Sequence, residues 1–159
     1  MDSVGHRHPE QAAARLAEPL KTTTRDEVRS TTASRRSGIV KNQLSELKNR
    51  IDALARLPVN WNSYDAEPPN DAAVKSALSV LEMASTLGAL PDRADASAEN
   101  GIVLSFANGN RYSDIECYNS GEVFGAMHDR PHEPHVWNIG CGKQEIRAAL
   151  NSIREFIHA

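Results

Sequence analysis

Long apolar runs are missing from this chain. No stretch approaches the ~18–20 uncharged residues that cross a bilayer, and Met1 to His6 carry no hydrophobic core of a signal peptide. Cysteine is scarce: Cys117 and Cys141 are the only two, too few for a disulfide framework. These absences lead us to expect a cytoplasmic protein with no membrane partner. A glycine-rich phosphate loop and a serine elbow are also missing, which removes two large enzyme classes. Nor is there an excess of positive charge, since the formal net charge is −3.

That charge is unevenly spread. Residues 1–36 hold seven Lys/Arg against five Asp/Glu, and the remainder holds eleven against sixteen. The body is therefore acidic at a formal −5, which argues against phosphate neutralisation by the folded part and so against nucleic acid as its partner. Residues 1–36 are rich in Ser, Thr, Arg and Ala and poor in large apolar groups. Such a segment cannot bury enough surface to offset its ordering entropy. We expect it to be a disordered or partner-dependent tail, followed by a single domain over residues 37–159.

What is present begins with helical periodicity. Val40, Leu44, Leu47, Ile51 and Leu54 recur at steps of three and four, which predicts a helix over 38–57. Its stripe is narrow, so pairing with a second copy in a homo-oligomer is an alternative to packing on the chain's own sheet. A second helix is predicted over 71–87, with Asn70 as N-cap and Gly88 in the left-handed position beyond its end. Residues 92–100 read as a polar loop. Strand character follows in 101–107, 110–118 and 122–128, joined by Asn108-Gly109, expected as a type I′ turn, and by Asn119-Ser120-Gly121. Residues 135–139 offer a short fourth strand, and Lys143 to Ile157 a last amphipathic helix. The sum is an α+β two-layer domain: a three- to four-stranded antiparallel meander packed on helices, in the order α-α-β-β-β-(β)-α.

Between the first two helices lies Asn60-Trp61-Asn62-Ser63-Tyr64-Asp65-Ala66-Glu67-Pro68-Pro69-Asn70. We expect Trp61 and Tyr64 to plug the gap between helices and sheet; the alternative is a partner-binding loop. This loop, with Gly101-Ile102-Val103-Leu104-Ser105-Phe106 and Asn108-Gly109, resembles small bacterial proteins of unknown function that carry a W-D-x-Y-x-A loop and a G-G-x-x-L-x-W hairpin. Here Asn62 replaces the usual Asp, Asp65 the usual Gly and Phe106 the usual Trp. The resemblance covers under half the chain and transfers no activity. It implies an accessory protein of a mobile or defence-type locus, with an antitoxin or immunity role. A glycine at position 65 would imply a left-handed backbone there, which Asp tolerates better than most residues.

Two constellations carry chemistry. Alternation in the second strand puts Ser113, Ile115 and Cys117 on one face and Tyr112, Asp114, Glu116 and Tyr118 on the other. Aromatics interleaved with carboxylates can meet Arg or Lys by stacking and ion pairing. Asp114 and Glu116 could also hold Mg²⁺, although a solvated strand face is the simpler reading. The second constellation is His128, His132 and His135 with Asp129, Glu133 and Cys141 nearby, a donor set suited to Zn²⁺. Pro131 and Pro134 bar a helix that would align these histidines. We therefore expect no cofactor and prefer a non-catalytic module that binds a protein with a basic surface, through Tyr112, Asp114, Glu116 and Tyr118 or the Trp61–Tyr64 loop. The alternative is a small metal-dependent hydrolase or nuclease built on the histidines.

Overall fold

The computed structural model describes residues 25–129 and 132–159. It contains α1 (Arg25–Leu54), α2 (Asp71–Leu87), β1 (Arg93–Ser97), β2 (Gly101–Asn108), β3 (Arg111–Tyr118), β4 (Val123–Asp129), β5 (His135–Asn138) and α3 (Lys143–His158). The five strands pair antiparallel in the order β1-β2-β3-β4-β5. The two-layer α+β architecture is thus present, with five strands where three or four were expected.

Three element boundaries differ from the sequence reading. First, α1 starts at Arg25 rather than residue 38, so the helix reaches back into the segment expected as a tail. Residues 25–36 contain no proline, and Gly38 costs a helix only about 1 kcal/mol relative to Ala. The expected disorder of residues 1–24 lies outside the described residues. At its other end α1 stops at Leu54, and its last carbonyls are taken up in a tightened turn, with Leu57 N donating to Leu54 O at 3.2 Å.

Second, residues 93–97 form a strand rather than a loop. Arg-Ala-Asp-Ala-Ser has low β propensity, but β2 offers a ladder edge, and the pairing runs from Arg93↔Ser105 to Ser97↔Gly101. Small Ala94 and Ala96 turn inward, and the polar residues suit an edge position. Arg50 of α1 reaches this edge, donating to Ala94 O at 3.2 Å and to Asp95 Oδ1 at 3.1 Å.

Third, the β2–β3 hairpin pairs Asn108 with Arg111 around Gly109 and Asn110. Only Gly109 has positive φ, 60°. That is the type II′ pattern, not the expected type I′.

The other helix signals stand. Asn70 accepts from Ala72 N and Ala73 N at the start of α2, and Gly88 ends it with φ 64°. Buried Ala73, Ala77, Val80, Leu81 and Ala84 line α2, and Ile146, Ala149, Leu150, Ile153 and Ile157 line α3. Leu47, Ile51 and Leu54 of α1 join the same core, so its stripe packs within the chain. The helices cover one face of the sheet, meeting Ile102, Leu104, Ile115, Cys117 and Val123. Gly125 is required on that face because a Cβ there would run into the Trp137 ring from β5. No helix among the described residues is long and apolar enough to cross a membrane.

Candidate functional site: the open acidic face of the sheet

Strand alternation that sends Ser113, Ile115 and Cys117 inward sends Tyr112, Asp114, Glu116 and Tyr118 outward. Register then decides their neighbours. Glu116 lies between Val103 of β2 and Phe124 of β4, and Asp114 between Ser105 and Ala126. Val136 of β5 follows in the Asp114 row and is 59% exposed. This face carries apolar groups in its middle and, among the described residues, no helix over it.

The face is concave. Its main hollow has a volume of about 750 Å³. Carboxylates enter it from five places: Asp114 and Glu116 on β3, Glu67 from the loop before α2, Glu99 from the β1–β2 turn, and Glu122 from the β3–β4 turn. Val103, Tyr118, Phe124, Ala126 and Val136 supply its apolar and aromatic lining, and no Lys or Arg among the described residues lines it. Among the described residues none of the five carboxylates has a salt-bridge partner.

Glu116 is held from both sides. Ser97 Oγ donates to its Oε1, and Tyr118 Oη donates to its Oε2 at 2.8 Å. A carboxylate has about four lone-pair sites, so each oxygen keeps capacity for a further donor. Burial, then the hydrogen bond to Glu116 and the carboxylate charges of Glu116 and Glu99, push the Tyr118 phenol well above its usual range. The phenol therefore stays protonated and remains a donor. Its ring meets Phe124 edge-on at 5.8 Å.

A second hollow of about 420 Å³ continues past Asp114 to Tyr112 and His128, whose rings stack at 5.2 Å. All four residues singled out on β3 therefore lie on one continuous face. The sequence reading missed Glu67, Glu99, Glu122 and Phe124. Phe124 could have been found by pairing the predicted strands, since it stands opposite Glu116. The three glutamates sit in connections whose convergence depends on tertiary structure.

That convergence is built by asparagines. Glu67 N donates to Asn100 Oδ1 at 2.8 Å, joining the loop before α2 to the β1–β2 turn. Asn70 N donates to Asn119 Oδ1 at 2.8 Å, and Asn119 Nδ2 donates to Pro68 O at 3.0 Å, joining the same loop to the β3–β4 turn. The two turns are tied in their turn by Asn119 N to Asn100 O. Within the loop, Asn60, Ser63 and Asp65 all adopt left-handed φ, at 62°, 64° and 62°. Asn60 and Asn62 side chains accept from Asp65 N and Tyr64 N, each at 2.9 Å, which holds this backbone in place. The special conformation expected at Asp65 is present.

The expectation that Trp61 and Tyr64 plug the core is overturned. Tyr64 is 87% exposed. Trp61 is half-buried and donates through Nε1 to Glu67 O at 3.4 Å. The loop satisfies its own backbone through side chains, so it needs no aromatic wedge beneath the helices.

The histidines are not gathered for a metal. His128 stacks on Tyr112 within the sheet, His135 on Trp137 at 5.6 Å, and His132 Nδ1 lies 3.0 Å from Asp129 Oδ1 on an exposed stretch. Among the described residues no group of three or more His, Cys, Asp or Glu side chains could hold a metal ion. Cys141 is exposed and free, while burial pushes the Cys117 thiol up to about 12. No protein-family model matches the chain, and no match was found among curated proteins or solved structures.

Proposed function

We propose that this protein is a non-catalytic binding module whose open sheet face engages a partner protein with a basic surface. The observation that carries this reading is the set of five carboxylates around an apolar and aromatic hollow that, among the described residues, no cation lines. Clustered like charges repel, so they are best accounted for by a partner that supplies the opposite charge. The acidic body, at a formal −5 over residues 37–159, supports the same sign of partner. Resemblance of the Trp61 loop and the β2 hairpin to accessory proteins of mobile and defence-type loci supports an antitoxin or immunity role for the module. The exposed Tyr64 ring on its hydrogen-bonded loop is the next candidate contact.

The test is affinity capture with the full chain as bait from its native host, identified by mass spectrometry. Wild type is compared with the double variant Asp114→Lys, Glu116→Lys, in low and high salt. The expected result is a basic protein captured by wild type at low salt, lost at high salt, and lost with the variant although the variant melts cooperatively. Capture that ignores both charge reversal and salt would refute this face as the interface and turn attention to Tyr64.

A further inference from the structure

The chemistry of the open face narrows the form of its occupant. The hollow runs from Val103 on β2 across β3 and β4 to Val136 on β5. Strands are spaced about 4.8 Å apart, so β2 to β5 spans about 14 Å, enough to seat an α-helix of about 10–12 Å diameter with its side chains. Asp114 and Glu116 stand two residues apart on β3, about 6.7 Å, which matches the about 6 Å rise between helical positions i and i+4. A single extended strand is narrower than the hollow and would leave its own backbone groups without ladder partners on a sheet face. A helix satisfies its backbone internally and presents an apolar stripe beside rows of charge.

We propose that the partner element is an amphipathic helix, its apolar stripe on Phe124, Ala126 and Val136 and its Arg or Lys rows on Asp114, Glu116 and the glutamates of the turns. This rests on the reading of the face as a surface for a basic partner. Glu116 is the anchor: Ser97 and Tyr118 fix its plane, which prepares it for the two-pronged hydrogen bonding of a guanidinium. Tyr118 and Phe124 beside it offer aromatic surface for the same group. With the helix docked, the sheet is covered on both faces and the domain becomes three-layered.

The experiment uses the full chain and a synthetic, amidated Leu/Ala/Arg peptide of about 15 residues, long enough to form a helix on docking. A comparator has the same length and charge but two central prolines. Binding is read by fluorescence anisotropy at low and high salt, for wild type and for Asp114→Lys, whose carboxylate takes no part in the Ser97–Glu116–Tyr118 bonds. The helix-forming peptide should bind at least ~10-fold tighter than the proline peptide, and Asp114→Lys should weaken it by ~10-fold. Equal, salt-sensitive binding of both peptides would overturn the helix while leaving a basic, extended partner in place. Binding of neither peptide, or binding indifferent to Asp114→Lys and to salt, would overturn both this inference and the reading beneath it. Wild-type dimers that Asp114→Lys converts to monomers would assign the face to a second copy instead.

Discussion

The two faces of the sheet are made by the same strands, residue by alternate residue, and they differ in almost everything else. On β3, Ile115 and Cys117 are fully buried, while Asp114, Glu116 and Tyr118 between and beside them stay partly exposed. Inward positions carry Ile, Leu, Phe and Val and meet three helices. Outward positions carry carboxylates and tyrosines around Val103, Phe124, Ala126 and Val136, with no helix over them among the described residues. A slip of one residue in register would exchange the two sets, and only the inner set can form a core. The inner face thus fixes the register, and the outer face inherits from it an ordered array of charge that contributes little to folding. Stability and recognition are separated by a pleat.

The comparison breaks if the inner face proves unimportant. Ile115→Ala removes a fully buried side chain at the middle of the sheet. It should cost about 2–5 kcal/mol, measured by denaturant unfolding. A loss near zero would mean that the helices do not pack on this face as described.

A second effect on the inner face needs high pH to show. The buried Cys117 thiol has its pKa raised from 9.0 to about 12, by desolvation first and then by the charge of Glu116. The folded state therefore keeps the proton that the unfolded chain releases above pH 9. The Cys117 contribution to stability is fully present below about pH 9 and is lost progressively as pH rises to about 12. Unfolding curves across this window should fall less steeply for Cys117→Ala than for wild type. Equal slopes would show that the thiol is not shielded by the helices.

Trp61 sharpens the contrast from outside the sheet. As a core plug it would cost as much as other large truncations, but it is half-buried and belongs to a loop held by asparagines. Trp61→Ala should cost only about 2–3 kcal/mol, as expected for a large ring that is only partly buried. A thermal melt that shows a loss of about 4 kcal/mol would restore the plug.

These cases also mark what the sequence could disclose. Periodicity, Asn70 and Gly88 placed α2, and the isoleucines of α3 placed its buried side, because helix signals are local. Alternation in β3 separated the two faces for the same reason. β1 was hidden because Arg-Ala-Asp-Ala-Ser becomes a strand only beside β2. The N-terminal half of α1 was hidden because composition says how much a segment can bury, not whether it is helical. Of the candidate site, the β3 residues were legible and the three glutamates of the connections were not. Their approach depends on Asn100 and Asn119, each bonded to a backbone more than thirty residues away in sequence. Asparagine in a turn looks alike whether it caps its own loop or ties two together.

The smallest expected effect belongs to the outer face. Asp114 is partly exposed, lies in both hollows, and its side chain has neither a hydrogen bond nor a salt bridge among the described residues. Its neighbours Ser105 and Ala126 leave room for a longer side chain. Replacing it with Lys removes no packing and places a cation near Glu116, Glu67, Glu99 and Glu122, which relieves like-charge repulsion. Asp114→Lys should therefore change unfolding free energy by no more than about 0.5 kcal/mol, with any change toward greater stability at low salt. The same substitution inverts the charge that a basic partner would meet, so stability and binding should part company in one variant. If Asp114→Lys destabilised the fold as much as Ile115→Ala, the outer face would have to be counted as structure, and the division between the two faces would fail.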